Sequence, residues 1–274
     1  MEKEVTVVYM VAGMSSRFSG KIKQFAKVGL NGETLIECSV DQAIKSGASK
    51  IIFIVGEKTE SGFKEMFGNN YKDTPIEYAF QSFDPEKRDK PWGTTDALCC
   101  AKEIINTPFI VCNGDDIYGE NTFKILIDHL KNSEDKATIG YKLISVVPET
   151  GTVNRGIFET DADLYLKKIT ETFDIEKEKI IDLGLTPDTL CSQNIFALDL
   201  ETLSSLNTLL KNFRQEHEGD RKKECLLPED LSNLIQEGKI KMKLLTTPDT
   251  WLGITNPEDE EIVREELRKL NNKL

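Results

Sequence analysis

Histidine is nearly absent from this chain of 274 residues: there are two, and the six cysteines (Cys38, Cys99, Cys100, Cys112, Cys191, Cys225) include no C-x-x-C pair. Irregular spacing within apolar stretches excludes a zinc site or a disulfide framework and marks these cysteines as buried hydrophobes in a reducing compartment. No apolar run is long enough to span a bilayer. The first, Val5 to Val11, is also too short for a secretory signal, so a cytoplasmic protein without a membrane partner is expected. Excess positive charge is lacking too. A net charge of −12 disfavours nonspecific binding to nucleic acid, itself a polyanion. An anionic substrate therefore needs a local basic site, and one segment supplies it: Arg17, Lys21, Lys23 and Lys27 lie together with no acid among them. With 39% hydrophobic residues, no internal repeat and no low-complexity linker, the chain is expected to form a single domain over 1–274. Two parts, 1–130 and 131–274, are expected within it.

The apolar, β-branched run Val5 to Val11 predicts a strand covered on both faces, as in a parallel sheet. Glu33 to Lys45 carries Leu35, Ile36, Val40, Ala43 and Ile44 at helical spacing, with Gly47 placed to end the helix. Ile51 to Val55 is the next strand, which completes a βαβ unit. The alternation continues with a helix Glu60 to Phe67, a strand Ile76 to Phe80, a helix Thr94 to Lys102 and a strand Phe109 to Cys112. The first half is therefore expected to be a doubly wound α/β sheet. Beyond Ala137, strands are expected at Thr138–Val147, Gly156–Glu159, Tyr165–Ile169 and Gln193–Ala197, then a helix from Leu200. The charged stretch Asn212–Glu224 is expected to be an exposed loop, followed by a helix Pro228–Gln236, a strand Ile240–Leu245 and a terminal helix from Pro257.

Ligands of open parallel sheets bind at the carboxyl ends of strands, so the loops after Val11, Phe80 and Cys112 are expected to share a crevice. The first loop opens Ala12, Gly13, Met14, Ser15, Ser16, Arg17. Small residues let backbone N–H groups approach a polyphosphate, while Arg17 and Lys23 place charge where it develops on the α-phosphate and the leaving pyrophosphate. Its glycines have neither the dinucleotide spacing nor the Gly-Lys-Ser/Thr ending of an ATPase phosphate loop. Gln81 ends its strand with an amide able to offer a base edge a donor and an acceptor together, and Gly93 and Thr94 open the following helix, the glycine leaving room for the base ring. In the connection Ser82–Trp92, Lys87, Arg88 and Lys90 are candidates to close over phosphates. Asp115 and Asp116, adjacent at a strand end, suit a hard cation such as Mg²⁺.

The order Ala12-Gly-x-x-Ser-Arg, Lys23-Gln-Phe, Gly32-Glu-Thr-Leu-Ile-Glu, then Gly114-Asp115, closely resembles the nucleotide-sugar pyrophosphorylase superfamily of nucleotidyltransferases. That resemblance implies a nucleotide-diphospho-sugar transferase fold: a Rossmann-like, mostly parallel sheet with a smaller mixed substrate region. It implies catalytic Arg17, Lys23 and Asp115, with Mg²⁺ on Asp115 and Asp116 supporting it. It implies nucleotide binding by residues 12–16, Gln81, Gly93 and Thr94, and acceptor binding by Asn154, Gly156, Glu171 and Asn194. The reaction implied is NMP transfer from an NTP to a sugar 1-phosphate, releasing pyrophosphate; a homo-oligomer is a further possibility. Gly253 stands where many sugar-type members have a second metal-binding aspartate, for which Thr255, Asn256 and Asp249 are the candidate replacements. The Lys23-Gln-Phe and Thr255-Asn-Pro-Glu-Asp segments also resemble cytidylyltransferases acting on alcohol phosphates, such as phosphocholine or a polyol phosphate. The missing aspartate raises a third reading, a non-catalytic nucleotide-sugar sensor. A glycosyltransferase would want an Asp-x-Asp triplet, which Asp115-Asp116 does not supply.

Overall fold

The computed structural model describes residues 3–13, 22–149, 151–254 and 259–271. Its first half runs β1 (Thr6–Met10), α1 (Leu35–Lys45), β2 (Lys50–Val55), α2 (Glu60–Phe67), β3 (Asn70–Tyr71), β4 (Thr74–Phe80), α3 (Thr94–Cys100), β5 (Phe109–Asn113), β6 (Asp116–Ile117) and α4 (Glu120–Asn132). The second half runs β7 (Lys136–Lys142), α5 (Leu143–Val146), β8 (Val153–Thr160), β9 (Leu166–Ile175), β10 (Leu190–Cys191), β11 (Phe196–Leu198), α6 (Leu200–Glu216), α7 (Leu227–Gln236), β12 (Met242–Thr246), β13 (Leu252–Gly253) and α8 (Asp259–Asn271).

One sheet carries the molecule, in the order β3-β4-β2-β1-β5-β11-β7-β10-β8-β9, with β12 added beside β7. Strands β4, β2, β1 and β5 are parallel, and β11 lies antiparallel to both β5 and β7. Alternate residues of β1 feed two cores. Val7 and Tyr9 join Val40 of α1, Phe63 of α2 and Phe123 of α4 on one face. Val8 joins Leu98 of α3, Leu206 of α6 and Leu231 of α7 on the other. Helices on both faces explain why β1 is apolar throughout and not alternating. Each fully buried side chain of this size contributes roughly 1.5–3 kcal/mol to that packing.

Thr34 starts α1 with a capping box: Glu37 N–H donates to its hydroxyl, and Glu37 Oε2 accepts from Thr34 N–H at 2.8 Å. The expected strand over 138–147 ends at Lys142 and turns into α5, because Leu143 and Ile144 N–H groups donate to Thr189 and Pro187 carbonyls outside the ladder. The expected strand over 193–197 narrows to β11, since Asn194 takes a left-handed φ of 55° that a ladder does not accommodate. Residues 212–216 belong to α6 and not to an exposed loop. Helix α4 is not among the expected elements, although Phe123, Leu126, Ile127 and Leu130 form a helical stripe that is buried.

Candidate active site

A polar concavity of about 150 Å³ lies at the carboxyl end of β5, closed by the start of β8, the middle of β9 and the 192–194 segment between β10 and β11. Its wall includes Lys23, Asp115, Asn154, Gly156, Glu171 and Asn194, drawn from five separate stretches of chain. Lys23 sits in a single turn of 3-10 helix, Lys23–Phe25, and its ammonium pairs directly with Asp115 Oδ2. Both side chains are largely shielded from solvent, which strengthens their attraction relative to a surface pair.

Asp116 is almost wholly buried behind Asp115. Its Oδ2 accepts from Asn113 Nδ2 at 3.0 Å and lies 3.1 Å from the Tyr118 hydroxyl. That hydroxyl also lies 2.8 Å from the Gln193 carbonyl, tying the aspartate loop to the segment that presents Asn194. Burial, followed by the Asp115 charge, pushes the Asp116 carboxyl up to about 7. Gly156 and Glu171 are register partners on β8 and β9, so the strand pairing itself sets them opposite each other. Burial and then the Glu229 charge raise the Glu171 carboxyl, while Arg155 pulls it down.

Gly253 pairs with Asp116 across the β6–β13 ribbon. A Cβ there would overlap the Trp251 ring and lie 2.8 Å from Asp116 Oδ1. The Trp251 ring thus occupies the space a second carboxylate would need. Asp249 does not replace it: its Oδ2 accepts from Thr122 N–H at 2.8 Å and its Oδ1 from Asn121 Nδ2 at 2.9 Å, in the first turn of α4. Thr255 and Asn256 lie outside the described residues, as do Met14, Ser15, Ser16 and Arg17. Asp115 with Asp116 beside it fits Mg²⁺, which needs one or two carboxylates and takes its other ligands from water and phosphate. Among the described residues no cluster of three or more acidic, histidine or cysteine side chains forms a cage of its own.

Gln81, Gly93 and Thr94 form a second group, at the end of β4 and the start of α3. From β4 to β5 is three interstrand steps, roughly 14 Å, a span a nucleotide can bridge from base to phosphates. Ala12 and Gly13 follow β1, between the two groups. Gln81 Nε2 donates to the Gly93 carbonyl at 3.1 Å and to Asp96 Oδ2 at 2.6 Å. Both partners only accept, which fixes the amide orientation. Of the expected donor–acceptor pair, the donor is thus spent within the protein and only Oε1 stays free. Asp96, 1% exposed, is held on its other side by Arg214 of α6. Gly93 has φ 106°, and a Cβ on it would overlap the Cys225 carbonyl. The packing of Cys225 against this position therefore itself requires a glycine. The Thr94 hydroxyl accepts from Leu227 N–H at 2.8 Å and so caps α7.

Arg88 and Lys90 are also committed within the protein. Arg88, 4% exposed, stacks on Trp92 at 3.4 Å and donates to the carbonyls of Lys90, Asp220 and Lys223 at 3.0, 2.6 and 2.5 Å. Lys90 pairs with Glu224. They clamp the 82–92 strap onto the loop after α6, while Lys87, 3.8 Å from Asp84, is the most exposed of the three candidates. Between strap and α6 lies a wider cleft of about 720 Å³, bordered by Phe83, Trp92 and Arg214.

A family model described as nucleotidyl transferase matches residues 17–185. Bifunctional protein GlmU of Staphylococcus carnosus is 28% identical over 237 residues, which is 84% of this chain and 45% of that protein. This chain therefore spans about half the length of such curated relatives. A UTP–glucose-1-phosphate uridylyltransferase of Streptococcus pyogenes is 25% identical over 179 residues, 57% of this chain and 58% of that one. Among solved structures, a putative glucose-1-phosphate thymidylyltransferase from Bacillus anthracis superposes with a TM-score of 0.70 at 14% identity, covering 96% of this chain and 95% of the other. That likeness shows a shared fold.

Proposed function

The chain belongs to the nucleotidyl transferase family, and from that premise we propose that it transfers NMP from a nucleoside triphosphate to a sugar 1-phosphate. The observation that carries this reading is the single polar concavity uniting the Lys23–Asp115 pair with Asn154, Glu171 and Asn194. An acceptor phosphate oxygen attacks the α-phosphorus in line. One P–O bond forms, the bond to the bridging β-phosphate oxygen breaks, and pyrophosphate leaves with the electron pair. A phosphate monoester is already ionised at neutral pH, so positioning and charge stabilisation carry the reaction and no histidine base is needed.

Lys23 binds the phosphates undergoing transfer, and Arg17 neutralises the leaving group. Asn154, Glu171 and Asn194 orient the acceptor through hydrogen bonds. Asp115, with Asp116 beside it, would hold Mg²⁺, which neutralises phosphate charge when bound. Gln81 Oε1 accepts from a base N–H. The names of the relatives favour a sugar 1-phosphate acceptor, because glucose 1-phosphate recurs among them. The setting we propose is cytoplasmic, with a small-molecule acceptor and no nucleic-acid or membrane partner; among the described residues no helix is long and apolar enough to cross a membrane.

The test is pyrophosphate release from purified protein with Mg²⁺, crossing the four ribonucleoside triphosphates and dTTP with sugar 1-phosphates, phosphocholine and polyol phosphates. Release that needs one triphosphate and one sugar 1-phosphate is expected. Release with CTP and an alcohol phosphate alone would move the acceptor class, and silence from protein that still binds nucleotide would favour a sensor.

A further inference from the structure

Two buried nitrogen donors in the wall of the acceptor concavity have no hydrogen-bond partner among the described residues: Arg155 Nε and Trp251 Nε1. They are neighbours, with the Arg155 guanidinium carbon 5.4 Å from the centre of the Trp251 ring. Arg155 Nη1 and Nη2 donate to the Asn154 and Val146 carbonyls at 3.0 and 2.9 Å, so the head group is held in place while Nε–H stays unused. Buried donors are almost always satisfied, and leaving one unmade is costly. Two orphans on one wall of a substrate concavity therefore point to an acceptor group that the ligand brings.

Charge narrows what that group is. Lys23, the other cation of the wall, is already matched by Asp115. Arg155 takes part in no ion pair among the described residues, and burial lowers the affinity of its guanidinium for its proton. A hydroxyl oxygen is neutral and leaves that charge balanced only by the unpaired field of the Asp116 and Glu171 carboxylates. A phosphate monoester brings two negative charges and three acceptor oxygens, enough to satisfy both donors at once. The concavity is small, about 150 Å³, so a phosphate on this wall is also close to Lys23 and Asp115. We propose that Arg155, backed by Trp251, binds the phosphate of the acceptor and selects phosphorylated acceptors over their neutral counterparts. This assignment rests on the transferase reading for its substrate class, but not for its test. Arg155 lies between Asn154 and Gly156, which the family resemblance singles out, and nothing in the one-dimensional pattern separates it from an ordinary strand-edge arginine.

Trp251 supplies a readout that does not depend on turnover. The chain has two tryptophans, so in a Trp92→Phe background fluorescence reports Trp251 alone. Inorganic phosphate, glucose 1-phosphate and glucose are titrated into this protein and into its Arg155→Gln and Arg155→Lys forms, with melting curves to show that each is folded. Saturable responses to both phosphates and none to glucose are expected. Arg155→Gln should weaken them about 10- to 100-fold, the usual worth of a charged hydrogen bond, and Arg155→Lys should retain part of the response. Triphosphate affinity should stay within about twofold. An equal response to glucose, or phosphate affinity unchanged in Arg155→Gln, would overturn the assignment. If phosphate binding needs Arg155 while no acceptor yields pyrophosphate, the assignment stands and the transferase reading falls. If pyrophosphate release depends on the acceptor but its KM ignores Arg155→Gln, the reverse holds.

Discussion

Breaking the Arg214–Asp96–Gln81 chain should separate a charge effect from a hydrogen-bond effect at the base side of the site. Asp96 is 1% exposed, and Arg214 is its one ion-pair partner among the described residues, so Arg214→Ala strands a buried carboxylate. Removing one member of a buried pair typically costs about 3–5 kcal/mol. Because the Arg214 side chain is 44% exposed, solvent partly screens the loss, which places the expected cost near the lower end, about 3 kcal/mol. Asp96→Asn removes the charge but keeps an oxygen for the Gln81 amide, and frees Arg214 to water. Its cost should be about 1 kcal/mol. In the double variant the stranded charge is gone, so a cost again near 1 kcal/mol leaves a coupling of roughly 3 kcal/mol between the two residues. Urea unfolding of the four proteins at one salt concentration measures the cycle. The triphosphate KM of each shows whether a mis-set Gln81 weakens base recognition. Coupling below about 0.5 kcal/mol, or a larger loss from Asp96→Asn than from Arg214→Ala, would refute the reasoning.

Lys23→Ala and Asp115→Asn should each lower turnover by about 10³-fold, as loss of a group that stabilises transition-state charge does, with each variant still folded at the assay temperature despite the lost ion pair. Near-normal rates in either variant would remove that residue from the chemistry. Gly93→Ala should cost about 3 kcal/mol or more, because φ 106° is strained for any Cβ and the Cys225 backbone blocks the space; an unchanged urea midpoint would show that the 217–226 loop yields instead. Arg88→Ala removes three bonds to carbonyls and a stacking contact, about 1 kcal/mol each and about 4 kcal/mol together. The loss should appear first as faster amide exchange and protease cleavage within residues 82–92, and uniform loosening of the whole chain would contradict a local clamp.

Where periodicity and burial act locally, the sequence alone determined the outcome. The unbroken apolar runs of β1, β2 and β5 can be stable only between two layers of helix, so the parallel first half is legible before any coordinates. The order Ala12-Gly, Lys23, Gly114-Asp115 marks the segments on which the proposed polyphosphate site rests, and α4 was legible in its apolar stripe though easily passed over. Other features depend on partners distant in sequence. That Arg88 is a clamp and not a phosphate ligand depends on the carbonyls of Asp220 and Lys223. That Gln81 keeps only its oxygen free depends on Asp96, and Asp96 in turn on Arg214. Asp249 is spent on α4, while Trp251 fills the space beside Gly253 and leaves with Arg155 a pair of unused donors. A side chain's chemistry is written in its residue type, but whether its hydrogen bonds and charge are already spent is decided by what the folded chain brings against it.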